Sequence, residues 1–216
     1  MAIANVNPNR MELSKLKKRL ETARRGHKLL KDKRDGLMKE FLEIVRVNKA
    51  LRETVEANLK GVYENFLVAS AIMSKQVLEN SLMFPKHRVE VGIQTKNIMS
   101  VNVPVFNFEQ KQDDLYSYGF FGTSGQLDAS INRLGEVLPD LLALAEKEKS
   151  AQLLAAEIEK TRRRVNALEY VMIPQFTEKI RFIKMKLDES ERSTTTRLMK
   201  VKDMMIKEML SKNNMS

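Results

Sequence analysis

Residues 13–44 read LSKLKKRLETARRGHKLLKDKRDGLMKEFLEI. Mostly apolar side chains recur here at steps that alternate between three and four residues, and this pattern predicts a left-handed coiled coil. The seam positions are Leu13, Leu16, Leu20, Ala23, His27, Leu30, Arg34, Leu37, Phe41, Ile44, Asn48, Leu51 and Val55. Three of them, His27, Arg34 and Asn48, are polar. Buried polar groups on a seam cost stability but can fix register and partner number.

This N-terminal arm has a clear predicted start. Asn7 is a favourable N-cap, and Pro8 suits the first helical position because its missing N–H costs nothing there. No further proline occurs until Pro85, so the pattern predicts one helix from Pro8 to about Leu82. Such a helix would be about 110 Å long, too long for a compact domain of this size. We therefore expect the arm to protrude or to insert into a partner.

The C-terminal part of the chain carries a matching repeat. Its seam positions are Leu154, Ile158, Thr161, Val165, Leu168, Met172, Phe176, Ile180, Ile183, Leu187, Thr194, Leu198, Val201 and Met205. Two consecutive steps of four, from Met172 to Ile180, indicate a stutter, and Pro174 within it predicts a bend. Because the two arms lie at opposite ends of one chain, they predict an antiparallel intramolecular coiled coil.

The region between the arms has a different pattern. Apolar residues alternate at Val89, Val91 and Ile93, and again at Met99, Val101, Val103 and Val105. This period of two predicts a β-hairpin at about residues 88–106 with a turn near Thr95–Asn97. Thr123 and Gln126 predict a capping box at the start of the next helix, and Pro139 a kink or division in it.

The predicted fold is therefore mainly α. A long antiparallel two-helix coiled coil is joined through a small middle region with short helices and a hairpin. Residues 1–60 form the N-terminal arm, residues 61–150 hold the lower helices, hairpin and connecting loop, and residues 151–216 form the C-terminal arm. These three parts carry net charges of +8, −3 and +5. A basic face attracts nucleic acids, acidic proteins or anionic lipids alike, so charge does not identify the partner.

Composition and motifs argue against several classes of protein. The 216 residues include no Cys, no membrane-length apolar run and no apolar signal segment, so we expect a soluble intracellular protein. Gly119, Gly122 and Gly125 lack the context of a phosphate-binding loop, and His27 and His87 lack metal-ligand spacing. Asp188, Glu189 and Glu191 lie beside Arg192 and favour a solvated ion-pair cluster over catalytic carboxylates. We expect a protein without cofactor or catalytic site.

The run Arg162–Arg164 flanks the second seam and allows two interpretations. Charge runs on helices usually form a solvated face, with aliphatic stems covering the seam and charged heads in water. The alternative is an electrostatic contact with an outside partner. The sequence alone leaves both open.

Several segments resemble the D subunit of the V/A-type rotary ATPases. They read VNPNRMELSKLKKRL and ARRGHKLLKDKRDGLMKEF in the first arm, NIMSVNVP in the hairpin, and EKTRRRVNALEYVMIPQF, IKMKLDESER and RLMKVK in the second arm. The resemblance spans both arms and the hairpin. It implies a non-catalytic central rotor axle that transmits torque between a catalytic hexamer and an ion-translocating membrane ring.

The resemblance also implies partners and a location. The tip of the paired helices would enter the hexamer of catalytic and nucleotide-binding subunits, the lower part would bind the small F subunit, and the base would dock on a funnel-shaped subunit. The chain would be cytoplasmic and peripheral, bound to the complex without entering the membrane and without binding nucleic acid. The residues expected to contact the hexamer are Arg24, Arg25, Arg162, Arg163 and Arg164.

Other classes stay open at this point. A basic coiled coil could bind nucleic acid or another polyanion or act as a scaffold, although aromatic side chains that stack on bases are scarce in the arms. A cytoskeletal or membrane-tethering coiled coil would pair between chains instead of within one. The F-type rotary axle carries a sizeable α/β domain between its helices, for which this chain has no room.

Overall fold

The computed structural model describes residues 7–84, 89–110, 116–119 and 121–213. The elements in chain order are α1 (Arg10–Ile72), α2 (Lys75–Leu82), β1 (Val89–Ile98), β2 (Val101–Gln110), α3 (Gly125–Ala167), a π-helical turn (Leu168–Met172) and α4 (Ile173–Asn213). The prediction of a mainly helical chain with one central hairpin is confirmed. Pro85 and His87 lie outside the described residues.

The chain divides into two compact units. The terminal unit comprises Met1–Asp32 and Thr161–Ser216, and the central unit comprises Lys33–Lys160.

Asn9 begins α1, two residues after the predicted cap. Its carbonyl accepts the Leu13 N–H at 3.0 Å, and its side-chain Oδ1 accepts the Met11 N–H at 3.3 Å. Asn9 thereby satisfies a backbone donor that the first turn leaves without an intrahelical partner. The prediction of Asn7 as the N-cap is wrong, and Pro8 precedes the helix.

The predicted single helix to Leu82 is interrupted at Met73 and Ser74. Met73 still donates its N–H to Ala69 at 2.9 Å, but Ser74 has an extended backbone and starts α2. Ser74 makes no side-chain hydrogen bond to the first turn of α2, although serine is a preferred residue at a helix start. Met73 is buried in a cluster with Ala69 and Leu127. The Met73 side chain at the interruption therefore forms part of the core.

Polar contacts in the terminal unit join α1 to the C-terminal arm in antiparallel order. Arg10 pairs with Glu191, and His27 Nε2 lies 3.3 Å from Glu169 Oε2. In the central unit the same order is seen for Lys33 with Glu157 at 3.5 Å and Arg52 with Glu148 at 3.3 Å. In both units the residue number falls on one helix as it rises on the other. Each unit therefore contains an antiparallel helix pair.

Two apolar clusters form the core of the central unit. The first joins the helix pair to the hairpin through Leu37, Val101, Val103, Leu154 and Ile158. The second lies under α2, where the Tyr118 ring packs against the Ala69, Met73 and Leu127 cluster. The Tyr118 hydroxyl donates to Asp128 Oδ1 at 2.6 Å, and burial together with this hydrogen bond raises its pKa.

The hairpin turn lies at Met99–Ser100, and the predicted turn at Thr95–Asn97 is wrong. The strands pair from Val89 with Gln110 to Ile98 with Val101. Met99 and Ser100 have φ values of 48° and 72°, as a tight two-residue turn requires. Asn97 Oδ1 accepts the Ser100 N–H at 3.0 Å. This bond stabilises a conformation that neither turn residue favours, which is why turn propensity alone pointed elsewhere.

The register places the two apolar runs of the hairpin on opposite faces. Val91 pairs with Phe108 and Ile93 with Phe106, whereas Val101 pairs with Ile98 and Val103 with Lys96. Residues directly opposite each other share a face. The face with Val101 and Val103 is buried on the helices, while Val91 and Ile93 are exposed on the other face and Val89 is half-buried.

Helix α3 starts directly after Ser124 and continues through Pro139. The Ser124 carbonyl accepts the Leu127 N–H at 2.9 Å, and its Oγ accepts the Gln126 N–H at 3.3 Å. Thr123 donates instead to the Gly119 carbonyl, so the predicted capping box is wrong. Pro139 lies inside an uninterrupted helix from Gly125 to Ala167 and does not divide it.

Candidate functional site

The predicted seam of α1 coincides with its least exposed positions. Leu16, Leu37 and Val55 are buried. The other predicted seam positions in the arm are half-buried. The half-buried positions include Leu13, Leu20, His27, Leu30, Phe41 and Ile44. Leu29, one residue off the seam, is exposed. The side chains on this stripe therefore provide the apolar contact between the paired helices.

The three polar seam residues differ in how their polar atoms are satisfied. His27 contacts Glu169 across the helix pair, and the Arg34 guanidinium donates from Nε and Nη2 to Asp35 Oδ1 at 3.0 and 2.8 Å. Asn48 Oδ1 is buried and has no hydrogen-bond partner among the described residues. An unsatisfied buried amide costs free energy, so Asn48 weakens the pairing at its level.

The second seam follows the prediction up to the π turn. Ile158, Thr161 and Val165 are buried, and Leu168 is half-buried. Met172, predicted as the next position, is 42% exposed, whereas Ile173 is half-buried. This corrects the prediction for Met172.

A π-helical hydrogen bond explains the shift. Ile173 donates its N–H to the Leu168 carbonyl, five residues back, so the turn contains one residue more than an α-helical turn. The next residue, Pro174, has no N–H to donate. After the turn the seam continues at half-buried Phe176 and Ile180, buried Ile183 and half-buried Leu187. The predicted stutter is therefore a π turn.

The seam predicted beyond Leu187 is exposed. Arg10 in the first turn of α1 pairs with Glu191, so α4 continues past the start of α1. Every side chain described from Asp188 onward is exposed. The apolar ones are Leu198, Met199, Val201, Met204, Met205, Ile206 and Met209. We call the segment of α4 from Arg192 to Met209 the C-terminal tip.

The five arginines of the predicted contact, called the arginine band, all lie in the terminal unit and are exposed. They are Arg24, Arg25, Arg162, Arg163 and Arg164. Arg25 pairs with Glu21 one helical turn away, and α1 adds Lys28 and Lys31 on its exposed surface. Exposed ion pairs of this kind contribute only about 0–1 kcal/mol, so these cations can exchange partners readily.

Two residues that the sequence analysis missed attach the hairpin to the helices. A Cβ on Gly36 would lie 2.6 Å from Met99 Cε, so the glycine makes room for the hairpin turn. Glu146 Oε2 accepts the Phe106 backbone N–H at 2.9 Å, and Glu146 Oε1 lies 2.8 Å from Lys147 Nζ. The detectable signal was Gly36 itself, since a glycine inside a long helix costs about 1 kcal/mol relative to alanine.

Opposing effects act on the pKa of Glu146. Burial alone would raise it, but the hydrogen bonds from Lys147 and the Phe106 N–H, with the Lys147 charge, outweigh burial and lower the pKa. The ionised carboxylate therefore stabilises the attachment of β2.

Two carboxylates of the acidic cluster near the end of the second seam, Glu189 and Glu191, form ion pairs. Glu189 accepts a hydrogen bond from Lys186 at 2.8 Å, which holds its pKa below the usual range, and Glu191 pairs with Arg10. Within the described ranges, no group of three or more acidic or histidine side chains is arranged to hold a metal ion. No helix among the described residues combines the length and apolar character needed to cross a membrane.

Comparison with known proteins gives one family. The model of the family described as the D subunit of ATP synthase matches residues 12–203. The V-type ATP synthase D subunit of Acetivibrio thermocellus is 61% identical over 211 residues, which cover 96% of this chain and 95% of that protein. The protein of the same name from Clostridioides difficile is 60% identical over 212 residues, 97% of this chain and 96% of that one. The Clostridium botulinum protein is 58% identical over 205 residues, 93% and 95% of the two chains. The chain therefore belongs to the ATP synthase D-subunit family.

Proposed function

We propose that this chain is the central-stalk rotor subunit of a V/A-type rotary ATPase. It transmits torque between ATP hydrolysis or synthesis in a catalytic hexamer and ion translocation through a membrane ring. The observation that carries the proposal is the antiparallel helix pair in each unit, together with near full-length relatives named as the D subunit of V-type ATP synthase. The chain itself is a non-catalytic part of the complex.

Paired helices suit the transmission of torque. A single helix resists twisting only through its own backbone, whereas two helices joined by a mostly apolar seam must deform together. Buried Leu16, Val165 and Ile183 supply that seam in the terminal unit. The burial of each such side chain is worth about 1.5–3 kcal/mol relative to exposure, so many contacts must fail before the pair separates.

The terminal unit is proposed to enter the hexamer of catalytic and nucleotide-binding subunits. Its C-terminal tip exposes seven large apolar side chains from Leu198 to Met209, a surface that a surrounding ring of subunits would cover. The arginine band would contact acidic or carbonyl-rich loops of the hexamer. Because each exposed pair is weak, such contacts can break and re-form at every rotational step.

The central unit is proposed to meet the remaining partners. The end that carries α2 exposes Tyr63, Leu67, Met83 and Phe84, which would suit docking on a funnel-shaped subunit above the membrane ring. The exposed hairpin face with Val91 and Ile93 is assigned to the F subunit. In this arrangement the chain is a peripheral subunit on the cytoplasmic face of the membrane.

Rotation in a reconstituted complex tests the function. The chain contains no cysteine, so a single cysteine introduced in the exposed hairpin face can carry a bead or gold particle. We expect ATP to drive stepwise rotation of the label when the chain is assembled with the immobilised hexamer. A chain that assembles but remains stationary during ATP hydrolysis would contradict the proposal.

Neutralising the arginine band tests the proposed contact. With all five arginines changed to glutamine, we expect fewer rotational steps per ATP hydrolysed. The matched control changes five exposed cations of the central unit to glutamine: Lys39, Arg46, Lys60, Lys75 and Lys96. Unchanged assembly and torque in the arginine variant would reject the contact while leaving the rotor function in place.

A further inference from the structure

The π turn exposes three consecutive apolar side chains on the terminal unit. Tyr170, Val171 and Met172 are consecutive and are 72%, 49% and 42% exposed. We call these three residues the π patch. The seam residues on either side of the patch, Leu168 and Ile173, are half-buried. The helix pair therefore exposes three bulky side chains to solvent, while the seam residues next to them remain half-buried.

Helix pairing does not require the extra residue of the π turn. Leu168 and Ile173 are five residues apart, while the seam steps on both sides alternate between three and four. One residue fewer would give a step of four and a regular repeat throughout. Single π turns inside α-helices are rare and are found frequently at functional sites. Here the inserted residue has a visible consequence, because it moves Met172 off the seam and onto the surface.

Basic side chains predominate around the π patch. Arg162, Arg163 and Arg164 precede Tyr170 by six to eight residues on the same helical path, a rise of about 9–12 Å. Across the pair, the contact of His27 with Glu169 brings α1 beside the patch, with Arg24 one turn away. Of the nearby carboxylates, Glu169 already contacts His27 and Glu21 pairs with Arg25.

We propose that the π patch is the apolar centre of a docking surface for an acidic protein segment. The arginine band frames the patch and attracts the segment, and an apolar side chain of the segment packs on Tyr170. Tyrosine and arginine, together with tryptophan, are enriched among the residues that carry binding energy at interfaces, where the centre is apolar and the rim is polar. Resting on the proposed function, the inference places this segment in a subunit of the hexamer.

The described surface disfavours a nucleic acid as the occupant. Proteins that bind single-stranded nucleic acids present successive aromatic side chains on which successive bases stack. Among the described residues of the terminal unit, Tyr170 is the exposed aromatic, whereas Phe176 and Phe182 are half-buried on the seam side. One exposed ring flanked by Val171 and Met172 matches an apolar anchor of a protein partner better than a base-stacking platform.

Affinity for the hexamer tests the inference. The test variant carries Tyr170→Gln, Val171→Gln and Met172→Gln, which keep good helix formers at exposed positions. The matched control carries Met11→Gln, Leu29→Gln and Met185→Gln, three similarly exposed apolar residues of the same unit. The fluorescently labelled full chain is titrated with the purified hexamer at several salt concentrations. We expect the test variant to bind at least tenfold more weakly, the control within twofold of the unaltered chain, and all three to weaken as salt rises.

Each outcome has one meaning. Equal affinity of the test variant and the unaltered chain overturns the docking patch and leaves the rotor function standing. Failure of the unaltered chain to bind the hexamer overturns the proposed function itself. Equal loss in test and control variants overturns the specific role of the patch. A patch-dependent affinity for a single-stranded oligonucleotide that exceeds the affinity for the hexamer overturns the protein occupant.

Discussion

At the scale of single residues, Asn48 is the seam position that most directly lowers the stability of the helix pair. Its Oδ1 is buried and has no hydrogen-bond partner among the described residues, while the seam neighbours Ile44 and Leu51 are half-buried and apolar. A buried amide oxygen without a partner costs about 1–3 kcal/mol. Asparagine at this position therefore does not maximise stability. A polar residue on a coiled-coil seam can instead fix the register of the helix pair.

We predict that Asn48→Leu raises the free energy of unfolding of the full chain by about 1–3 kcal/mol, because the unpaired amide is replaced by an apolar side chain. Urea denaturation followed by circular dichroism measures the change. Asn58→Leu is the control, since Asn58 is exposed on the same helix and should change stability by less than about 0.5 kcal/mol. A lower stability of the Asn48 variant would mean that its amide has a favourable partner.

Glu146 supports a prediction on pH. Its folded-state pKa lies below the ordinary value of 4.5, so the ionised carboxylate contributes stability above that value and loses the contribution as pH falls through the folded pKa. Glu146→Gln removes this contribution. We therefore expect hydrogen exchange at the Phe106 amide to accelerate, beyond the intrinsic pH dependence, as the pH falls below 4.5 in the natural chain but not in the variant.

Glu136→Gln provides the comparison, because Glu136 is an exposed carboxylate on the same helix. Its Phe106 exchange profile should match that of the natural chain. Identical profiles for Glu146→Gln and the natural chain would show that the Glu146 charge does not stabilise the attachment of the hairpin.

At the scale of elements, the π turn gives a prediction in which two deletions of equal size have opposite effects. Deleting Val171 leaves a step of four between Leu168 and Ile173 and restores a regular alternation of three and four. We expect the thermal midpoint of this variant to equal or exceed that of the natural chain. Deleting exposed Glu178 instead rotates every later seam residue by about 100° and moves Ile183 off the seam.

Circular dichroism on heating distinguishes the two variants. The Glu178 deletion should melt several degrees below the natural chain because buried Ile183 loses its contacts. If the Val171 deletion melts equally low, the π turn contributes to pairing and the regular repeat does not explain the seam.

How far the sequence predicts these elements depends on whether the signal is local. The seam of α1 is readable because each apolar position repeats with the helical period, and the same holds up to Leu168. The π turn cannot be predicted from the sequence, since the same spacing of apolar residues is equally compatible with a stutter. The hairpin turn was missed because its conformation depends on the Asn97 side chain rather than on glycine at the turn. Glu146 was missed because its partner, Phe106, is 40 residues away in the chain.

At the scale of the whole molecule, the proposed transmission of torque requires the paired helices of the terminal unit to act as one body. The arginine band and the π patch belong to this unit, and both depend on its antiparallel register, in which Arg10 faces Glu191 and His27 faces Glu169. If torque passes through the pair as a unit, joining its two strands covalently should leave rotation intact. If rotation instead needs the strands to slide or separate, the same link should stop it.

Our last prediction uses this distinction. The chain has no natural cysteine. Arg10→Cys and Glu191→Cys therefore place two thiols at facing positions on the two helices, where a short bis-maleimide can join them. Arg10→Cys with Glu169→Cys is the negative control for the register, because 22 residues of helical rise separate Glu169 from Glu191, about 33 Å. We expect efficient linking in the first pair alone, and ATP-driven rotation of the linked chain at the rate of the same variant before linking. Linking in the second pair would contradict the register, and loss of rotation only after linking would contradict transmission of torque by a rigid pair.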